Sequence, residues 1–158
     1  MLNALEKQLK FCRTKDFYSL SRRIKSLKKS KSPDGLRKLS DDLESSINYC
    51  DARKRNIPKK IIYPPILPIS RKSSDIKNLI IAHQVIVVTG GTGSGKTTQL
   101  PKICLDAGLG IRGLIAHTQP RRLAATSVAN RIAEELNSEV GDLIGFQIRF
   151  NDRIKENT

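Results

Sequence analysis

Apolar residues recur every three or four positions along the first third of the chain: Leu2, Leu5, Leu9 and Cys12, then Phe17, Leu20, Ile24 and Leu27, then Leu36, Leu39, Leu43, Ile47 and Cys50. That spacing is one face of an α-helix, so three amphipathic helices are expected. Ser32 stands at the cap of the third and Pro33 at its first helical position, where a missing amide hydrogen does no harm. Gly35 weakens that first turn. On the second helix Arg22, Arg23, Lys25, Lys28 and Lys29 all fall off the apolar stripe and share the solvent side.

Residues 56–70 then carry Pro58, Pro64, Pro65 and Pro68, which remove amide donors and push their predecessors toward extended backbone. This stretch reads as a linker between a basic helical extension, 1–55, and a second region, 71–158. Beyond it the pattern alternates. A helix over 73–82 precedes an aliphatic strand over 84–89, and a glycine-rich turn leads into a helix over 95–106. A second strand over 113–118, a helix over 120–136 and an extended segment over 143–150 follow. Strand, helix, strand, helix predicts a parallel α/β fold.

The glycine-rich turn carries the chemistry. Gly90, Gly91, Thr92, Gly93, Ser94, Gly95, Lys96 and Thr97 match Gly-x-x-x-x-Gly-Lys-Ser/Thr, with a β-branched strand before and a helical pattern after. Glycines let successive amide groups turn inward toward one anion, helped by the positive end of the following helix. Lys96 is placed to neutralise β/γ-phosphate oxygens and Thr97 to offer its hydroxyl to Mg²⁺. A nucleoside triphosphate is the expected ligand, with Thr98 completing the contact set. Hydrolysis needs further carboxylates. Asp106 ends an apolar run but belongs to the helix of the loop itself, and Asp142 follows Gly141 in a turn-like context. No catalytic or metal-holding acid is visible.

Composition narrows the class. The 158 residues are 38% apolar, with no Trp, three Tyr and four Phe, enough for a lean core but not for a two-domain motor. The net charge of +14 is uneven: residues 1–60 hold 17 Lys/Arg against 7 Asp/Glu, and residues 61–158 hold 12 against 8. Such a field draws polyanions, whether RNA, DNA or an anionic membrane. Cys12, Cys50 and Cys104 lack metal-ligand or disulfide spacing and read as reduced thiols. The start lacks a signal-peptide core, and the longest aliphatic runs, 79–82 and 85–88, are far short of the roughly 20 residues that span a bilayer. A soluble cytoplasmic protein is expected.

Three stretches in order, GSGKTTQLPKI, TQPRRLAATSVANRIAEEL and GFQIRFND, resemble the opening motifs of the DEAH-box ATP-dependent RNA helicases. The basic segment SRRIKSLKKSKSPDG and the approach LPISRKSSDIKNLIIAHQVIVV make the chain most similar to the bacterial HrpA type, over nearly its whole length. The resemblance implies an incomplete RecA-like P-loop NTPase domain behind the basic extension, with ATP and Mg²⁺ as cofactors and RNA, ribosome-associated RNA included, as partner. It implies RNA-backbone contacts at Thr118, Arg121 and Arg122, for which guanidinium forks suit phosphate oxygens. Arg149 resembles the arginine of the family's Gly-x-x-x-Arg-Phe motif, beside the RNA path, and as a strand residue it is expected to point away from Ile148 and Phe150.

Two departures stand out. The family usually has Glu where this chain has Gly91. The DEAH motif, the Ser-Ala-Thr motif and the second RecA-like domain lie outside the sequence, so residues 85–88 are expected to form a strand without its neighbours in a poorly folding piece. Besides the helicase reading, a basic RNA- or ribonucleoprotein-binding module without catalysis fits the first 55 residues. The glycine-rich loop alone also resembles secretion-type ATPases, against which Pro120, Arg121 and Arg122 argue.

Overall fold

The three N-terminal apolar repeats fold as helices in a computed structural model, which describes residues 1–30, 32–155 and 158. They are α1 (Leu2–Gln8), continued by a 3-10 turn over Leu9–Phe11, then α2 (Thr14–Ser30) and α3 (Pro33–Asn56). Lys31, in the basic segment quoted above, lies outside the described residues. The chain divides into two compact units, Met1–Asn56 with Ile111–Gly113, and Ile57–Gly110 with Leu114–Thr158.

In the first unit the apolar stripes converge on one cluster of Leu5, Leu9, Cys12, Leu20, Ile24, Leu39 and Leu43. Ser32 caps α3 as its position predicts, its Oγ accepting from the Gly35 amide at 3.3 Å. Gly35 has a packing role as well: a Cβ there would sit 2.7 Å from Leu27 Cδ2, so its absence lets α2 approach. Buried Ser46 donates to Asp16 Oδ2 (2.6 Å) and accepts from the Arg13 amide (3.0 Å), while Arg13 Nε donates to the same carboxylate oxygen at 2.7 Å. Burial pushes the Cys12, Cys50 and Cys104 thiols up from their ordinary value, which favours the protonated form.

The second unit contains α4 (Ser73–Ala82), α5 (Lys96–Asp106) and α6 (Arg122–Glu135). One cluster joins Ile69, Ile76 and Ile103 with Leu67, Ile80, Ile86 and Val88; another joins Leu105, Ile132 and Leu136 with Ile57, Ile61 and Ile115. The proline-rich stretch is therefore packed into this unit. A 3-10 turn over Pro68–Lys72 closes it.

Among the described residues the expected parallel sheet does not form. Residues 84–89 and 113–118 run without a ladder, because a strand is held by hydrogen bonds to a neighbour and neither run has one. The period-two pattern still acts on the first run: Ile86 and Val88 turn onto the helices, while Val85 and Val87 are 80% and 85% exposed. The one sheet among the described residues is an antiparallel hairpin of β1 (Phe146–Ile148) and β2 (Asn151–Arg153), β1 lying against α6. The Arg153 carbonyl leaves no room for a Cβ at Gly145. The extended segment predicted over 143–150 thus ends in a two-residue turn, and Arg149 lies in that turn rather than in a strand. Phe150 beside it is left-handed at φ 70°, a conformation that removes the in-and-out alternation on which the strand reading depended.

Candidate nucleotide and RNA site

The phosphate-loop sequence curls where its glycines permit. Gly93 and Gly95 take φ of 77° and 92°, and Gly95 caps α5 from the left-handed region. The first turn of α5 leaves amide donors without intrahelical acceptors, facing back toward the loop. Lys96 folds over the same loop. Its ammonium donates to the carbonyls of Gly90 (2.6 Å) and Gly91 (2.8 Å) and to Ser94 Oγ (3.1 Å), so its three donors are spent on loop oxygens. The Ile69 amide donates to the Ser94 carbonyl at 3.2 Å and anchors the curl from outside. Thr97 is exposed, and Thr98 Oγ1 reaches the Gly95 carbonyl at 3.4 Å. Gly90, Gly91, Thr92 and Gly93 form the solvent-facing rim.

Lys96 and Thr97 open onto a cleft of about 320 Å³ between the two ladder-free runs, walled by Val88 on one side and by Ile115, Ala116 and His117 on the other, with Leu100, Pro101 and Cys104 of α5 as floor. A proline at 101 removes the amide that would take the Thr97 carbonyl within the helix. The residues present fit a triphosphate and its cation: first-turn amides without intrahelical acceptors, one ammonium and one exposed hydroxyl at a helix N-terminus.

Thr118 is exposed one residue beyond the cleft wall. Arg121 caps α6 in extended conformation and Arg122 opens it; both are exposed, and neither has an ion pair among the described residues. Cations at a helix N-terminus oppose its dipole, a conflict that a phosphate relieves. Arg149 stands on the hairpin turn with its guanidinium 4.8 Å from the Phe150 ring centre, and Phe150 is 89% exposed. The two rejected acids have structural partners. Asp106 accepts from Tyr63 OH (3.3 Å) and pairs with Lys77 (3.1 Å), and Asp142 pairs with Lys155 at 2.7 Å.

Sequence reading missed a buried polar group beneath the loop. Lys102 on α5, fully buried, donates to Glu135 Oε2 on α6 at 2.6 Å, to the Ile62 carbonyl at 2.7 Å and to Gln99 Oε1 at 3.0 Å. Gln99 Nε2 donates to Glu135 (2.9 Å) and Thr98 Oγ1 (2.9 Å), and Arg131 Nε donates to the second Glu135 oxygen at 2.9 Å. Burial by itself raises the Glu135 carboxyl, but the donors of Lys102, Gln99 and Arg131 outweigh it and hold the group below its ordinary range. The signal was present: Gln99, Lys102 and Ile103 share the inward face of α5, where a lysine must be paired.

The chain is 47% identical over 158 residues, 98% of its length, to the ATP-dependent RNA helicase HrpA of Escherichia coli (strain K12). It is 49% identical over 143 residues, 88% of its length, to the HrpA homolog of Haemophilus influenzae. Over 88 residues, 56% of its length, it is 47% identical to the probable ATP-dependent RNA helicase DHX40 of Homo sapiens. The chain spans about 12% of the first relative and 11% of the other two. No protein-family model matches. These helicase relatives imply a RecA-like helicase region, and among the described residues the parallel sheet of a complete RecA-like domain is not present. No helix among the described residues is long and apolar enough to cross a membrane.

Proposed function

Because the chain is homologous over nearly its whole length to HrpA-type ATP-dependent RNA helicases, we propose that it is part of such a cytoplasmic enzyme and carries its nucleotide-binding loop. The reading rests on one observation above all: the Lys96 ammonium is held inside a left-handed glycine curl at the start of α5, beside the exposed Thr97. Lys96 exchanges its loop carbonyls for β/γ-phosphate oxygens, and the amides of Gly93 to Thr98 close around the same anion. Thr97 Oγ1 would hold the Mg²⁺. MgATP held there would supply the phosphoanhydride bond whose cleavage drives movement on RNA.

Thr118, Arg121 and Arg122 hold the RNA backbone, and Arg149 adds a cation from the hairpin turn. With Asp106 and Asp142 engaged elsewhere, the residues described here bind and orient. Hydrolysis and unwinding draw on the further length that the relatives possess.

Titration with a fluorescent ATP analogue and Mg²⁺ tests the site. Lys96→Ala is expected to weaken binding at least tenfold, and equal affinity in a folded variant refutes the assignment. Arg121→Ala with Arg122→Ala is expected to weaken RNA binding without altering analogue affinity. RNA binding untouched by these arginines and by nucleotide would favour the non-catalytic module.

A further inference from the structure

We infer that the outer face of α2 is a binding surface for single-stranded RNA, with Lys15, Arg22, Lys25 and Lys29 on phosphates and Tyr18 under a base. The inference rests on the RNA partner proposed above and assigns a contact surface separate from the arginines of α6.

The helix sorts its cations. At about 100° per residue, Lys15, Tyr18, Arg22, Lys25 and Lys29 fall within about 80° of arc, opposite the buried Leu20 and Ile24. The other two cations flank the apolar stripe and are fastened inside the unit, Arg23 to Asp42 at 2.6 Å and Lys28 to Glu6 at 2.7 Å. The four on the outer stripe are exposed, have no ion-pair partner among the described residues, and share the stripe with no acid. Solubility alone does not call for that arrangement. Arg22 with Lys25 and Lys25 with Lys29 are like-charge neighbours one turn apart, and Lys15 opposes the helix dipole. A polyanion laid along the helix relieves all three conflicts.

The same face discriminates among polyanions. A membrane-surface helix needs an exposed apolar flank, and the apolar flank of α2 is consumed in the core. The stripe instead offers one flat aromatic, Tyr18, 80% exposed and braced edge-on by Phe17 at 5.7 Å between ring centres. Cations along a backbone track with an interleaved ring suit a single strand whose bases are free to stack.

The test is fluorescence anisotropy of the whole chain with labelled oligouridylate over a salt series, without nucleotide. Each neutralised phosphate contributes about −0.7 to the slope of log affinity against log salt, so R22E/K25E/K29E should make the slope shallower by about 2. R23Q/K28Q should leave it unchanged. Y18A should weaken binding about fivefold or more, and Y18F should retain it. Circular dichroism confirms folding of each variant, and R22Q/K25Q/K29Q replaces the charge reversal if that variant unfolds. An unchanged slope in a folded stripe variant overturns the proposal, as does displacement of the RNA by polyglutamate or phosphatidylserine vesicles at matched charge, or equal affinity for duplex RNA. If the α6 arginine variants abolish RNA binding while the stripe variants do not, the proposed function stands and this surface falls. If the wild-type chain ignores RNA, the RNA part of that function falls first.

Discussion

Gly95 and Gly91 lie in one loop with opposite requirements. At Gly95 φ is 92°, and a Cβ would sit 3.0 Å from Leu67 Cδ1 and 3.1 Å from Ile69 Cγ2; at Gly91 a Cβ would meet nothing within 4 Å. Gly95→Ala should therefore destabilise by about 2 kcal/mol, through strain and crowding together. Gly91→Ala should stabilise by about 0.4 to 1 kcal/mol, by restricting the unfolded chain. Urea unfolding of the two variants gives both signs. The open space at 91 also accommodates the glutamate usual in the family, so Gly91→Glu should keep analogue binding. The loop motif was legible because its spacing is local. That Lys96 grips its own loop was not, since the curl that brings Gly90 within 2.6 Å depends on backbone angles that spacing does not encode.

Between elements, the buried Lys102–Glu135 pair joins α5 to α6. Glu135→Leu leaves an ammonium buried with two neutral acceptors and should cost about 3 to 5 kcal/mol. Lys102→Met should cost less, because the carboxylate keeps Gln99 and Arg131. Chemical denaturation of the two variants ranks them. The pair also sets an acid limit. Glu135 ionises below its ordinary 4.5 in the folded chain, so its contribution is complete above that pH and is lost as pH falls through the lower folded value. Glu135→Gln should lower stability at neutral pH and flatten the acid limb of the stability curve. The six α-helices among the described residues follow from apolar spacing and flanking turn signals, with a side-chain cap at α3, and all of these act within a few residues. The two predicted strands keep extended stretches, the first with Ile86 and Val88 packed inward, yet pairing is a long-range property that a periodic pattern cannot supply. The hairpin escaped notice because its turn uses Arg149 and Phe150 rather than a glycine or asparagine signal.

Across the whole chain, positive charge and bare backbone occupy different stretches. Most of the net +14 lies in residues 1–60, while 84–89 carries no charged side chain at all. That second fact governs how the protein behaves in a tube. A run with Val85 and Val87 bare on alternate positions, its amides and carbonyls unmet by a ladder, is a template onto which an identical run from another molecule can be laid. Such pairing is second order in protein, so protein concentration rather than temperature should set the useful life of a sample, and higher salt should shorten it by screening the repulsion between cationic copies. Light scattering against concentration measures this. Val87→Lys, a gatekeeper on the exposed face, should suppress the rise while leaving the helical circular dichroism unchanged.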